Sequence, residues 1–217
     1  MELRDILPYV DHTELNPAAT WEAVRTLCDD AVAFGTATVC IPPCYVRRAV
    51  SYLDGRLPVC TVIGFPHGNS PTAAKAYEAA QVVAAGAAEV DMVVNIGWVK
   101  DGLFDAVTDE IRIVKKAVGD KCLKVIIEAC LLTDEEKIAL CRCVTEAGAD
   151  FIKTSTGFST GGATVEDIRL FAAHVGPGVK IKAAGGIRTA EAAAAMLEAG
   201  AHRIGASALV KLAKAES

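Results

Sequence analysis

Short runs rich in β-branched and aliphatic residues alternate along this chain with longer, alanine-rich amphipathic stretches, the pattern of repeated strand-helix units and a parallel sheet. Eight runs read as strands: YVDHT (9–13), TATVCI (36–41), PVCTVIG (58–64), AEVDMVVN (88–95), LKVIIE (123–128), DFIKTS (150–155), VKIKAA (179–184) and HRIGAS (202–207). Between them lie helix-like segments such as PTAAKAYEAAQVVAAG and TAEAAAAMLEAG, each closed by a glycine suited to the left-handed position after a helix end. A recurring AGA, centred on Gly86, Gly148 and Gly200, leads into the next strand each time. TDEEK at 133–137 reads as a capped, solvated helix start.

Eight units in 217 residues are close to the minimum for a closed (β/α)8 TIM barrel preceded by a short N-terminal helix. The alternative is an open doubly wound sheet. The barrel is preferred because polar residues recur at the C-terminal ends of nearly all the strands, where barrel enzymes place their chemistry, and no single crevice is favoured. No linker or low-complexity tract divides the chain, so residues 1–217 are expected to form one domain.

Composition narrows the classes. With 52% hydrophobic residues but no membrane-length apolar run, the chain is expected to be soluble. MELRDILPYV lacks the pattern of a secretory leader, so a cytoplasmic location is expected. A formal charge of −5, and no basic stretch interleaved with aromatics, argue against nucleic acid as a partner. The eight cysteines form no CxxC pair and the histidines no ligand cluster, so reduced, mostly buried thiols and no metal or other cofactor are expected. His67, in GFPHGNS, reads as a loop residue.

Chemistry gathers at the predicted strand ends: Asp11, Thr13, Cys40, Asp91, Asn95, Lys124, Glu128, Lys153, Thr154, Ser155 and Lys182. Alternation along DFIKT and EVDMV sets Lys153 and Asp91 on the faces opposite Ile152, Val90 and Met92. If those apolar residues meet the helices, Lys153 and Asp91 point into the barrel. Lys180 shares the parity of Lys182 and is expected to snorkel out at the bottom rim. Lys153 and Lys182 fall on consecutive strands, ~4.8 Å apart in a sheet. At an effective dielectric near 20, like charges at about 5 Å repel by on the order of 3 kcal/mol, enough for one amine of such a pair to be neutral near pH 7 and attack a carbonyl. Asp91 could then move protons through a water during carbinolamine and enamine formation. The plainer alternative is a structural ion network in which the lysines pair with Asp91 or Glu128. Glycine-bearing turns after the seventh and eighth strands, AAGGIRTAEA and IGASAL, offer backbone N–H groups to a phosphate through Gly185, Gly186, Gly205 and Ser207, with Gly157 closing the side nearest Lys153. Neither GxxxxGK[ST] nor GxGxxG occurs. The residues alone point to a Schiff-base lyase acting on a small phosphorylated carbonyl compound.

The ordered motifs DHTELNP, VIGFPHG, EVDMVVNIGWVKDG, LKVIIEACLLTDEE, FIKTSTGFSTGGAT and KIKAAGGIRT resemble the deoxyribose-phosphate aldolase family over essentially the whole chain. That resemblance implies a metal-free class I aldolase on a TIM barrel. Its expected reaction is the reversible cleavage of 2-deoxyribose 5-phosphate to glyceraldehyde 3-phosphate and acetaldehyde. By motif, it implies Lys153 as the Schiff-base nucleophile, Lys182 as the amine that lowers its proton affinity and Asp91 as the proton relay. Asp11 and Thr13 resemble contacts for the sugar hydroxyls, Cys40 lies in the small aldehyde pocket, and Lys124 belongs to the polar network beneath. Gly157, Gly185, Gly186, Gly205 and Ser207 are similar to the phosphate cradle. Phe158 and Ala208 stand where some members have lysine and serine, which puts more of the expected phosphate binding on backbone groups. A homodimer or homotetramer is the family's expected assembly. Another lysine-dependent barrel aldolase, and a non-catalytic sugar-phosphate-binding barrel, are the alternatives.

Overall fold

The computed structural model describes residues 1–216. Eight parallel strands close on themselves in sequence order: β1 Val10–Thr13, β2 Thr38–Ile41, β3 Val59–Ile63, β4 Glu89–Val93, β5 Cys122–Ile126, β6 Phe151–Lys153, β7 Lys180–Ala184 and β8 Arg203–Ala206. The helices are α1 Leu3–Ile6, α2 Trp21–Phe34, α3 Val46–Leu53, α4 Thr72–Ala84, α5 Ile96–Lys100, α6 Phe104–Val118, α7 Asp134–Glu146, α8 Val165–His174, α9 Ala190–Glu198 and α10 Leu209–Ala215. The closed sheet answers the choice between barrel and open sheet, and α1 is the short N-terminal helix. None of the described helices is long and apolar enough to cross a membrane.

Local signals behave as their chemistry requires. Thr133 caps α7 in a reciprocal box with Glu136, while Thr164 and Thr189 cap α8 and α9. Gly86, Gly148 and Gly200 turn the chain from helix to strand with φ of +104°, +74° and +117°, where a Cβ would be strained.

Strand parity divides the interior into two environments. Residues facing outward, including Val39, Ile41, Val90, Met92, Val125, Ile152, Ile181 and Ile204, join the helices in one apolar ring around the sheet. Inside the barrel the apolar cluster is small: Cys40, Cys60 and Val62, covered by Leu15 and Phe65. Much of the rest of the lumen is polar. Phe151 plugs its lower part, with Arg203 and Lys180 5.6 and 5.8 Å from its ring, and Lys180 is exposed there, as snorkelling requires. Five cysteines are buried and all are free thiols among the described residues. His12, on the helix-facing side of β1, is buried with Nδ1 unpartnered, and burial pushes its pKa down to about 4.

The helical ring holds one buried ion pair. Lys75 of α4 donates to Glu110 of α6 at 2.9 Å and to the Val93 carbonyl at 2.8 Å, with both charged side chains sealed from water. It ties two helices to the end of β4. Because Lys75→Met strands a buried carboxylate, it is expected to lower stability by roughly 3–5 kcal/mol. The double variant Lys75→Met/Glu110→Leu should recover most of that loss in urea unfolding. Equal losses in both would show that the pair does not act as a unit.

Candidate active site

Register sets the ingredients at matching depths. Asp91 pairs with Lys124 across β4–β5, Lys153 with Lys182 across β6–β7, and Lys182 with Arg203 across β7–β8. All five side chains point into the lumen, as alternation predicts for Lys153, Asp91 and Lys182.

Asp91 is the hub. Its Oδ2 accepts from Lys153 at 2.8 Å and from Lys182 at 2.7 Å, while Oδ1 accepts from Lys124 at 2.7 Å and from the Cys60 thiol at 3.2 Å. Lys182 also donates to Asp11 Oδ2. Asp11 Oδ1 takes Thr38 at 2.8 Å and Arg203 at 2.5 Å. Arg203 and Lys124 both reach Glu89, at 3.0 and 2.6 Å. Four bases thus face three carboxylates in one connected cluster.

Burial and charge compete here, and charge wins. Burial pushes Asp91 up, but Lys124, Lys153 and Lys182 together hold it well below the usual carboxylate range. Asp11 is depressed in the same way, its burial outweighed by Lys182, Lys124 and Arg203. Burial lowers Lys182 and Lys124, yet Asp11 and Asp91 around the first, and Asp91 foremost around the second, keep both above the ordinary lysine range. Lys153 and Lys182 are therefore not a bare like-charge pair: Asp91 Oδ2 accepts from both. Glu128, the other suggested partner, pairs with neither lysine and binds Thr156 instead.

Above the cluster a cavity of about 490 Å³ opens at the C-terminal end of the barrel. Lys153 is the one member of the cluster that lines it among the described residues. Thr13, Gly157, Gly185, Gly186, Gly205 and Ser207 line it too. Asp11, Cys40 and Lys124 do not: each is sealed in the floor, Asp11 with both oxygens engaged and Cys40 packed beside Cys60. Asp11 and Cys40 therefore lie beneath the cavity and not at its surface, at the depth expected for Lys124. Gly205 is needed for space, since a Cβ there would meet Ala184 Cβ at 2.9 Å and Lys182 Cε at 3.2 Å. The cradle side also carries two cations absent from the sequence reading, Arg188 and Lys211.

Glu89, Arg203, Cys60 and Thr38 were likewise missed. Parity with Asp91 and Gly205 was the available signal for Glu89 and Arg203. Cys40, Cys60 and Asp91 have potential ligand atoms within 4.8 Å of one another, as do Asp11, Cys60 and Glu89. The Lys124 ammonium occupies that space, 3.2 Å from Cys60 and bonded to Asp91 and Glu89.

An amine set at the base of a cavity in a closed eightfold barrel, above a sealed ion cluster, defines a lysine-bearing barrel enzyme of the aldolase class. The sequence matches the DeoC/LacD family aldolase over residues 6–214. It is 53% identical over 216 residues to the deoxyribose-phosphate aldolase of Clostridium botulinum (strain Eklund 17B), covering all of this chain and 98% of that protein. It is 55% identical to that of Streptococcus agalactiae (strain A909), covering 99% and 96%. The tetrameric deoxyribose phosphate aldolase of Aeropyrum pernix superposes with a TM-score of 0.88 at 33% identity, covering 99% of this chain and 92% of that one. The chain belongs to the DeoC/LacD aldolase family and is a carbon-carbon lyase.

The depressed carboxylates carry a pH signature. An aspartate whose folded pKa lies below its unfolded value of about 3.9 contributes stability that is present above that value and lost as pH falls through the folded one. Asp91→Asn removes one such group. Between about pH 4 and pH 3 its unfolding free energy should fall less steeply than the wild type's, by up to about 1.4 kcal/mol per pH unit. Urea unfolding across that window checks it, and an equal slope would show that Asp91 is not held ionised.

Proposed function

We propose that the protein cleaves 2-deoxyribose 5-phosphate reversibly to acetaldehyde and glyceraldehyde 3-phosphate through a Schiff base on Lys153. The observation that carries this reading is that Lys153 joins the buried cluster to the open cavity: its Nζ touches Asp91 below and it lines the substrate space above. The relatives' shared name supports the substrate.

In this mechanism the Lys153 amine attacks C1 of the open-chain sugar. Loss of water from the carbinolamine gives an iminium, which draws electrons from the C2–C3 bond as the C3 hydroxyl gives up its proton. Glyceraldehyde 3-phosphate departs. The remaining enamine is protonated at C2 and hydrolysed to acetaldehyde. Asp91 Oδ2, shared by Lys153 and Lys182, supplies the path along which the amine's protons leave and return. Gly185, Gly186, Gly205 and Ser207 receive the phosphate, with Arg188 and Lys211 supplying positive charge. Asp11, Cys40 and Lys124 act from the floor. The protein works in the cytoplasm and as a homo-oligomer; the tetrameric relative supports the assembly.

Borohydride reduction in the presence of acetaldehyde, followed by peptide mass mapping, is expected to place one ethyl adduct on Lys153. Lys153→Ala should lose both adduct and turnover, and Asp91→Asn should lower kcat roughly 10²- to 10⁴-fold. An adduct on another lysine, or undiminished cleavage by Lys153→Ala, would contradict the assignment.

A further inference from the structure

Glu128, just past the end of β5, adopts a conformation that few side chains take, φ +51° and ψ +61°. A non-glycine residue held there persists only where its surroundings demand it. Its backbone kink lets Ala129 N–H return to the Thr154 carbonyl at 2.8 Å. Its carboxylate is buried, and both oxygens are spent on one residue: Oε1 accepts from Thr156 N–H at 3.1 Å and Oε2 from Thr156 Oγ1 at 2.5 Å. Thr156 Oγ1 in turn accepts from Phe158 N–H at 3.0 Å. A chain of carboxylate, hydroxyl and amide thus spans the turn that follows Lys153.

That turn has cavity on both sides. Thr156 and Phe158 line the main cavity with Lys153, and they also line a smaller one of about 170 Å³ shared with Glu128 and His67. Packing alone does not fix a partition between two cavities, and Gly157 within it, at φ +85°, adds no side chain to anchor it. The Phe158 ring rests edge-on against Phe65, 5.3 Å between centroids, but otherwise stands half-exposed at the mouth.

We propose that Glu128 is a positioning residue for the aldol cleavage: acting through Thr156, it holds the 156–158 turn in place as the wall beside the Lys153 amine. The inference rests on the reaction assigned above. Glu128 touches no reacting atom in this scheme. It acts by keeping the substrate carbon aligned with Nζ, so its loss is felt in kcat, and equally for substrates with and without a phosphate.

The test compares wild type with Glu128→Gln, Thr156→Val and Thr156→Ser. Cleavage of 2-deoxyribose 5-phosphate and of unphosphorylated 2-deoxyribose is measured well below each variant's Tm. Glu128→Gln replaces the acceptor Oε2 with a donor, and Thr156→Val deletes the hydroxyl at nearly constant volume. Both are expected to lower kcat roughly 10- to 100-fold on either substrate with KM little changed. Thr156→Ser keeps the hydroxyl and should retain most of the rate. A purely structural role would lower Tm while leaving kcat intact, and that result overturns the proposal, as does a loss confined to KM for the phosphorylated sugar. Wild type inactive on both sugars would instead overturn the underlying reaction.

Discussion

The structure turns on one carboxylate. Asp91 sits at the centre of the barrel with three ammonium groups and a thiol directed at its two oxygens. Removing an ion from water costs several kcal/mol unless its partners are close and complete, and here the partners come from the adjacent strands β3 and β5 and, across the lumen, from β6 and β7. Asp91 therefore demands Lys124, Lys153 and Lys182 at matching depths, and the closed register supplies them. Asp11 and Glu89, with Arg203 between them, complete the network around it. Bases outnumber acids by one in the cluster. Lys153 is the member from which a substrate could profit, since it is the one facing the cavity.

This arrangement explains why the fold separates its stabilising and reactive parts. The apolar ring between sheet and helices contains most of the buried aliphatic side chains and supplies the main driving force for folding. The lumen contributes little of that kind, with Cys40, Cys60 and Val62 as its small apolar cluster. Relieved of that task, the lumen can hold charges whose value lies in chemistry. The two halves of the cavity then differ in character. Leu15 and Phe158, the latter backed by Phe65, give an apolar side, while glycines, Ser207, Arg188 and Lys211 give a side suited to an anion.

Much of this was legible in the sequence, for physical reasons that can be named. Strand and helix periods differ, so the eight units and their order stood out, and the two-residue period of β4 and β6 turned Asp91 and Lys153 inward. What escaped was the company those residues keep. Glu89 and Arg203 lie at strand starts, where charged side chains ordinarily belong to the solvated rim, so the parity that turns them inward was easily passed over. Asp11 and Cys40 were placed near the substrate because strand position does not reveal depth in a sheared barrel. Arg188 and Lys211 come from a loop and a helix, whose directions no strand period encodes. Glu128 read as an ordinary strand-end carboxylate, because backbone handedness at a glutamate leaves no mark on the sequence.

The surplus of one base can be altered from a distance. Arg203→Met removes a cation at the bottom of the cluster, and Glu89→Gln removes an anion beside it, neither touching the cavity. The measurement is the pH profile of iminium formation with acetaldehyde, followed by borohydride trapping, in both variants and the wild type. If surplus charge drives the amine's deprotonation, the profile moves to higher pH in Arg203→Met and to lower pH in Glu89→Gln. Profiles that coincide with the wild type, or that shift in the same direction, would contradict it.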